Sequence, residues 1–226
     1  LKFDAKWPAL DHVNADVAFV DDGFTVAGEG VLAGVGIRHF DGGIAHFARP
    51  DLLVHAQGGG DASRLLALLK ESPLHATYGE TIDNIVASGL ADVTFGLQLP
   101  LHGISTSKID GTVALAGARL AEKRWNVRFD NVRGSARYAG GGFEADRLAV
   151  MHDGQPGRLS LRAGDFTRDR RQAFEAGLEA VVEADDLLQR APQLDWLKPY
   201  LSGRSTWTVG VAIPRTAAST ASTASH

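Results

Sequence analysis

Apolar and polar residues alternate with period two in segment after segment of this chain, and within each segment the apolar set keeps to one side. Between Val13 and Phe19 the odd positions Val13, Ala15, Val17 and Phe19 are apolar, while Asn14 and Asp16 face the other way. From Ala91 to Leu99 the apolar set is Ala91, Val93, Phe95, Leu97 and Leu99, against Asp92, Thr94 and Gln98. Leu159, Leu161 and Ala163 alternate with Arg158, Ser160 and Arg162, and Phe174, Ala176, Leu178, Ala180 and Val182 oppose Glu175 and Glu179. Successive side chains of a strand point to opposite faces of its sheet, so this pattern predicts strands with one face buried and one in water. Asp21-Asp22-Gly23 reads as a hairpin turn between two such strands, since glycine supplies the positive φ such turns need.

Two stretches leave period two and predict short helices. Asp61 is placed to cap a helix carrying Leu65, Leu66, Leu68 and Leu69, which Ser72-Pro73 would end because the residue before proline avoids the helical region. The second runs from Asp185 through Leu187 and Leu188 to Ala191-Pro192. Beyond it Leu194, Trp196, Leu197, Tyr200 and Leu201 crowd around Pro199, and are expected to form an irregular apolar plug.

An internal repeat organises these pieces. Asp11, Val13, Phe19, Gly23 and Phe24 match Asp130, Val132, Tyr138, Gly142 and Phe143 at a shift of 119. Ser88, Gly89, Gly96, Leu97, Leu99 and Pro100 match Ser202, Gly203, Gly210, Val211, Ile213 and Pro214 at a shift of 114. The blocks keep their order, with a leucine-bearing helix between them in each copy. The expected organisation is a first β unit over 1–100 with its helix near 61–71 and a second over 101–214 with its helix near 184–191. A disordered low-complexity tail would follow over 215–226.

Many strands then carry an apolar face, and only two short helices are available to cover them. At about 25 cal/mol per Å², uncovered apolar surface is strongly unfavourable in water. Either the sheet closes on itself as a sandwich or barrel, or it curls incompletely around an apolar ligand. The fold class expected is mainly β: a long, curved, mostly antiparallel sheet built from two related repeats and forming an apolar groove, with two or three short helices.

Composition narrows the function. At 226 residues the chain can bury a real core. Its net charge is −4 with a pI near 6.1, and its basic residues are scattered, so nucleic acid is not an expected partner. The absence of cysteine excludes disulfides and thiolate chemistry. No apolar run approaches the roughly 18 residues that span a bilayer. The start at Leu1 and the run from Thr216 to His226 suggest an internal or C-terminal piece of a longer protein.

Candidate chemistry is sparse. Gly28, Gly30, Gly34 and Gly36 do not keep dinucleotide-loop spacing and no helix pattern follows, so they read as glycines of a tight strand turn. Gly58-Gly59-Gly60 reads as a flexible linker before the helix, because Asp61 at the cap would repel a phosphate. His39, His46 and His55 match no zinc-ligand spacing, no Gly-x-Ser-x-Gly elbow occurs, and Asp21-Asp22 and Asp185-Asp186 have turn and helix-start reasons to be acidic. No catalytic residue, metal site or cofactor is expected, and an enzyme is the least favoured class.

Ser72-Pro73-Leu74, Gly89 opening an alternating strand, Leu99-Pro100-Leu101 and Ile109-Asp110-Gly111 resemble the large periplasmic YhdP proteins of the AsmA-like group. Val132-Arg133-Gly134, Tyr138 and Gly142-Phe143 are similar to that family's recurring strand-turn-strand unit, and the resemblance covers most of residues 7–214. It implies a protein anchored in the inner membrane of a Gram-negative bacterium by a segment outside this sequence. Repeated β units would stack into a hydrophobic groove across the periplasm, carrying phospholipid toward the outer membrane and serving outer-membrane biogenesis. The family offers no short catalytic signature to carry over.

On this reading Val93, Phe95, Leu97 and Leu99, with their repeat mates Trp207, Val209, Val211 and Ile213, line the groove. Its partners are phospholipid acyl chains, the neighbouring repeats of the same chain and the inner membrane. The alternative is a non-catalytic structural or protein-interaction β module with a closed core.

Overall fold

The computed structural model describes residues 10–71, 75–101, 107–124, 126–183, 188, 196, 198–200 and 202–215. The chain runs β1 (Leu10–Val20), β2 (Gly23–Leu32), β3 (Val35–His46), β4 (Arg49–Asp61), α1 (Ala62–Lys70), α2 (His75–Asn84), β5 (Ile85–Ser88) and β6 (Leu90–Pro100). It continues with β7 (Lys108–Glu122), β8 (Val127–Ala139), β9 (Gly142–His152), β10 (Gln155–Ala163), β11 (Gln172–Glu183) and β12 (Arg204–Pro214).

All twelve strands belong to one antiparallel sheet in which every strand but β5 follows chain order, the longest connections being those from β4 to β6 through α1, α2 and β5 and from β11 to β12. β5 and β6 share one edge of β7: β5 pairs with Arg119–Glu122 and β6 with Lys108–Leu115. The break between them falls at Gly89 (φ +96°), across from Gly117 (φ +86°), where only glycine turns freely. The sheet is not closed; β1 and β12 are its two edges.

Two buried clusters hold it together. Leu10, Val35, Ile37 and Phe40 join Ala62, Leu65, Ala87 and Ala91 where α1 lies on the sheet. Ala118, Val132, Ala145, Leu148, Val150 and Leu159 form the second cluster across β7 to β10.

The Asp61 carboxylate fixes α1 by accepting the amides of Ser63 (2.8 Å) and Gly89 (3.0 Å), while the Ala62 amide donates to the Gly89 carbonyl (2.7 Å). Helix start and strand bend are thereby one unit. Asp83 of α2, a helix the alternation pattern does not show, binds Lys70 at 3.5 Å and His75 at 3.1 Å.

The structure corrects two readings. Gly58-Gly59-Gly60 is not a linker but the last part of β4, paired with Val93, Asp92 and Ala91 of β6. Arg38 of β3 and Asp92 of β6 form an ion pair (2.8 Å) across Gly59, and a Cβ there would come within 2.8 Å of both side-chain ends and displace the pair. Trp196 and Tyr200 are exposed and plug nothing. Leu194, Leu197, Leu201, the tail from 216 and the helix expected over 185–192 lie outside the described residues, apart from Leu188, which is helical and buried.

Two strand pairs share a register over four partner positions. Leu52↔Leu99, Val54↔Leu97, Ala56↔Phe95 and Gly58↔Val93 join β4 to β6. Phe174↔Ile213, Ala176↔Val211, Leu178↔Val209 and Ala180↔Trp207 join β11 to β12 in the same register.

Candidate functional site

Directly opposed residues of an antiparallel pair share a face, so the register traces what each face carries. One unbroken line of partners crosses eleven strands: Ala15, Gly28, Phe40, Ala56, Phe95, Gly111, Tyr138, Phe143, Ala163, Phe174 and Ile213. It contains no charged residue. The neighbouring line Val17, Val26, Gly42, Val54, Leu97 and Ile109 is equally apolar.

The opposite face carries His39, Gln57, Thr94, Thr112, Arg137, Glu144, Arg162 and Glu175 as partners in line. There Arg137 pairs with Glu144 at 3.2 Å, partly in water, where such a pair adds little stability, and the mostly covered Arg162 pairs with Asp146 at 3.0 Å.

The eight residues singled out from the sequence all sit on the apolar face, in two groups. Val93, Phe95, Leu97 and Leu99 lie in mid-sheet, and Trp207, Val209, Val211 and Ile213 lie on the β12 edge. The two groups are six strand spacings apart, roughly 29 Å at about 4.8 Å each.

Their surroundings differ. Val93 packs into the cluster beneath α1, while Phe95, Leu97 and Leu99 are half-buried. Trp207 and Ile213 are half-buried, Val209 is 56% exposed and Val211 39%. The Trp207 indole Nε1 is buried and has no hydrogen-bond partner.

The same face has members that the sequence reading did not pick out as a site. Phe19, 79% exposed, leans on Phe24 (6.4 Å between ring centres), and Phe24 stacks on Phe47 (6.2 Å). Phe143 meets Phe174 at 6.4 Å. Phe19 and Phe174 stand in the alternations from which the strands were read; Phe24 entered as a repeat match, and Tyr138 and Phe143 as repeat matches and in the family's strand-turn-strand unit.

Among the described residues no cluster of nucleophile, base and stabilising donor accompanies this face. A shallow 320 Å³ depression lies among Asn14, Asp16, Glu29, Arg38 and His39. His39 and His55 flank Asp41 at 3.6 and 3.4 Å, and among the described residues no three ligating side chains converge as a metal site.

The rim between β10 and β11 is firmly built. Glu175 is held below the usual carboxylate range by the amides of Asp169 and Arg168, and Asp169 by the side chain and amide of Arg171. Among the described residues no helix is long and apolar enough to cross a membrane.

A face this extensive suits the burial of apolar matter. The intermembrane phospholipid transporter YhdP of Escherichia coli (strain K12) is 24% identical over 178 residues, which are 78% of this chain and 14% of that protein. The chain thus spans a small part of its relative's length. No solved structure matches it. The family model described as YhdP protein matches residues 1–224, and the chain belongs to the YhdP family.

Proposed function

We propose that this chain is a segment of a longer envelope protein that holds phospholipid acyl chains against the apolar face of its sheet and lets them move along it. The observation that carries this reading is the uncharged line of partners from Ala15 to Ile213, crossing the whole open sheet while much of the face stays uncovered. The name of the E. coli relative supports phospholipid as the cargo.

Burial gains about 0.8 kcal/mol per methylene and is non-directional, so a chain can shift along the face with little change in energy. Phe95, Leu97, Leu99, Trp207, Val209, Val211 and Ile213 contact acyl chains, and Val93 supports α1 from below. The two halves, 1–100 and 101–214, are copies of one β unit curved into a groove. The full protein is anchored in the inner membrane, and the groove leads lipid through the periplasm toward the outer membrane. The activity needs no catalytic group. The open sheet, with β1 and β12 as its edges among the described residues, supports this reading over a closed barrel.

The test is a photo-crosslinking amino acid placed at Leu97, Val209 or the outward Thr94 of the full-length protein, in cells fed radiolabelled phosphate. Labelled phospholipid is expected on the first two and not on the third. Equal labelling at Thr94, or none at the inward positions, would end this reading.

A further inference from the structure

The inner row of β12 ends differently from its counterpart in β6. After Leu97 and Leu99, the β6 row continues to Leu101, whose amide donates to the Pro50 carbonyl at 2.9 Å. After Val211 and Ile213, the β12 row continues to Arg215, whose amide donates to the Arg171 carbonyl, also at 2.9 Å. The β11–β12 pair carries a bulge between Gln172 and Phe174 that the β4–β6 pair lacks, and one row ends in a leucine and the other in a cation.

That cation is held ready. Its Nη2 donates to the Gly164 carbonyl (2.8 Å) and its Nε to the Gln172 carbonyl (3.1 Å), which fixes the guanidinium on the rim and leaves three of its five N–H groups for another acceptor. Among the described residues no carboxylate pairs with it. The nearby acids are engaged elsewhere: Asp165 accepts the Gly141 amide, Asp169 binds Arg171, and Glu175 accepts two backbone amides.

We propose that Arg215 binds the phosphate of a phospholipid whose acyl chain lies along Val209, Val211 and Ile213. This rests on the acyl-chain reading above and adds a fixed headgroup contact to it. Dimensions and charge agree. From Trp207 to Ile213 the row extends about 20 Å at roughly 3.4 Å per residue, against about 15 Å for one leaflet of hydrocarbon. A guanidinium prefers phosphate because its planar fork matches two phosphate oxygens. β12 is then a resting position for one lipid, whereas the β6 row, ending in Leu101, offers a lipid no such hold.

The test places the photo-crosslinker at Val211 or Leu97 of the full-length protein in cells fed radiolabelled phosphate. Arg215→Gln is expected to lower the phospholipid adduct at 211 roughly tenfold, the loss of one charge-assisted bond, and to leave the adduct at 97 unchanged. Leu101→Arg is expected to raise the adduct at a crosslinker placed at Leu99.

Unchanged labelling at 211 in Arg215→Gln overturns the headgroup contact and leaves the acyl-chain reading standing. No labelling at 97 or 211 in the otherwise natural protein removes that reading itself. If Arg215→Gln fails to accumulate, Leu101→Arg decides, and no gain at 99 overturns the proposal. Arg215-dependent binding of inorganic phosphate to the purified protein, with the lipid adduct unaffected, would mean a free-anion site and also overturns it.

Discussion

β6 and β12 make the same register with the strand before them and then meet different fates. β6 continues into β7 on its far side and lies under α1 at its first residues, so Ala91 is 3% exposed and Val93 is packed. Among the described residues β12 has no strand beyond it, and Val209 is 56% exposed. Identical backbone pairing therefore does not decide whether an apolar row becomes core or stays open. Among the described residues, the nine-residue helix fixed at Asp61 lies over the first residues of β6, while Val209 and Val211 of β12 stay exposed.

The widest gap between the two regions is expected in stability. Leu65, 7% exposed, is the residue through which α1 enters the core, and Leu65→Ala should cost about 2–3 kcal/mol by leaving a cavity. Val211→Ala on the open row should cost about 0.5 kcal/mol or less. Urea unfolding of the 226-residue chain measures both. Equal losses would show that the β12 row is as firmly packed as the face under α1, and the contrast would collapse.

Glycine sharpens the contrast on a smaller scale. Gly58 of β4 holds the place that Ala180 holds in β11, as their pairings with Val93 and Trp207 show. The difference lies in the neighbouring strand. Gly58 sits against Ile37 and the Gly36 carbonyl, which a Cβ would strike, whereas Ala180 faces Gly157. Gly58→Ala is expected to destabilise by about 1–2 kcal/mol. Gly177→Ala in β11, where no atom lies within 4 Å of the added Cβ, should be neutral or stabilising by up to about 0.5 kcal/mol. Thermal unfolding of both variants separates the crowded half of the sheet from the open one.

These details were unevenly visible in the sequence. Strands announced themselves because alternation is a property of the strand alone, and α1 because Asp61 precedes a leucine stripe. α2, His75–Asn84, reads HATYGETIDN and has no apolar stripe to show. Gly58-Gly59-Gly60 looked like a linker because glycines carry no alternation, although their bareness is what admits the Arg38–Asp92 pair over β4. Family membership was legible in short motifs such as Leu99-Pro100-Leu101. Arg215 was not legible as a site because it borders a low-complexity tail; the repeat shift of 114 aligns it with Leu101, and its side-chain bonds to Gly164 and Gln172 are visible only in the structure. Whether the sheet closes was not legible, since a closed and an open sheet need the same alternation.

The smallest expected effect tests the fastening of α1 by acid. The carboxyl of Asp61 is held below its ordinary value of 3.8 by the hydroxyl and amide of Ser63 and the amide of Gly89, and that of Asp83 by His75 and then Lys70. A carboxyl whose folded value is depressed contributes stability that is fully present above the ordinary value and is lost as pH falls through it toward the folded value. Between about pH 5 and about pH 3, α1 amides should therefore lose hydrogen-exchange protection ahead of the amides of the β8–β10 core, where Val132 and Leu148 are buried without such a fastening. Both acids are exposed, so the loss is modest. Asp61→Asn should lower α1 protection already at neutral pH and flatten its response to acid, with Asp83 left to account for what remains. An α1 that keeps its full protection at about pH 3 would show that Leu65 and its neighbours hold the helix unaided, and that cover over β6 depends on apolar packing alone.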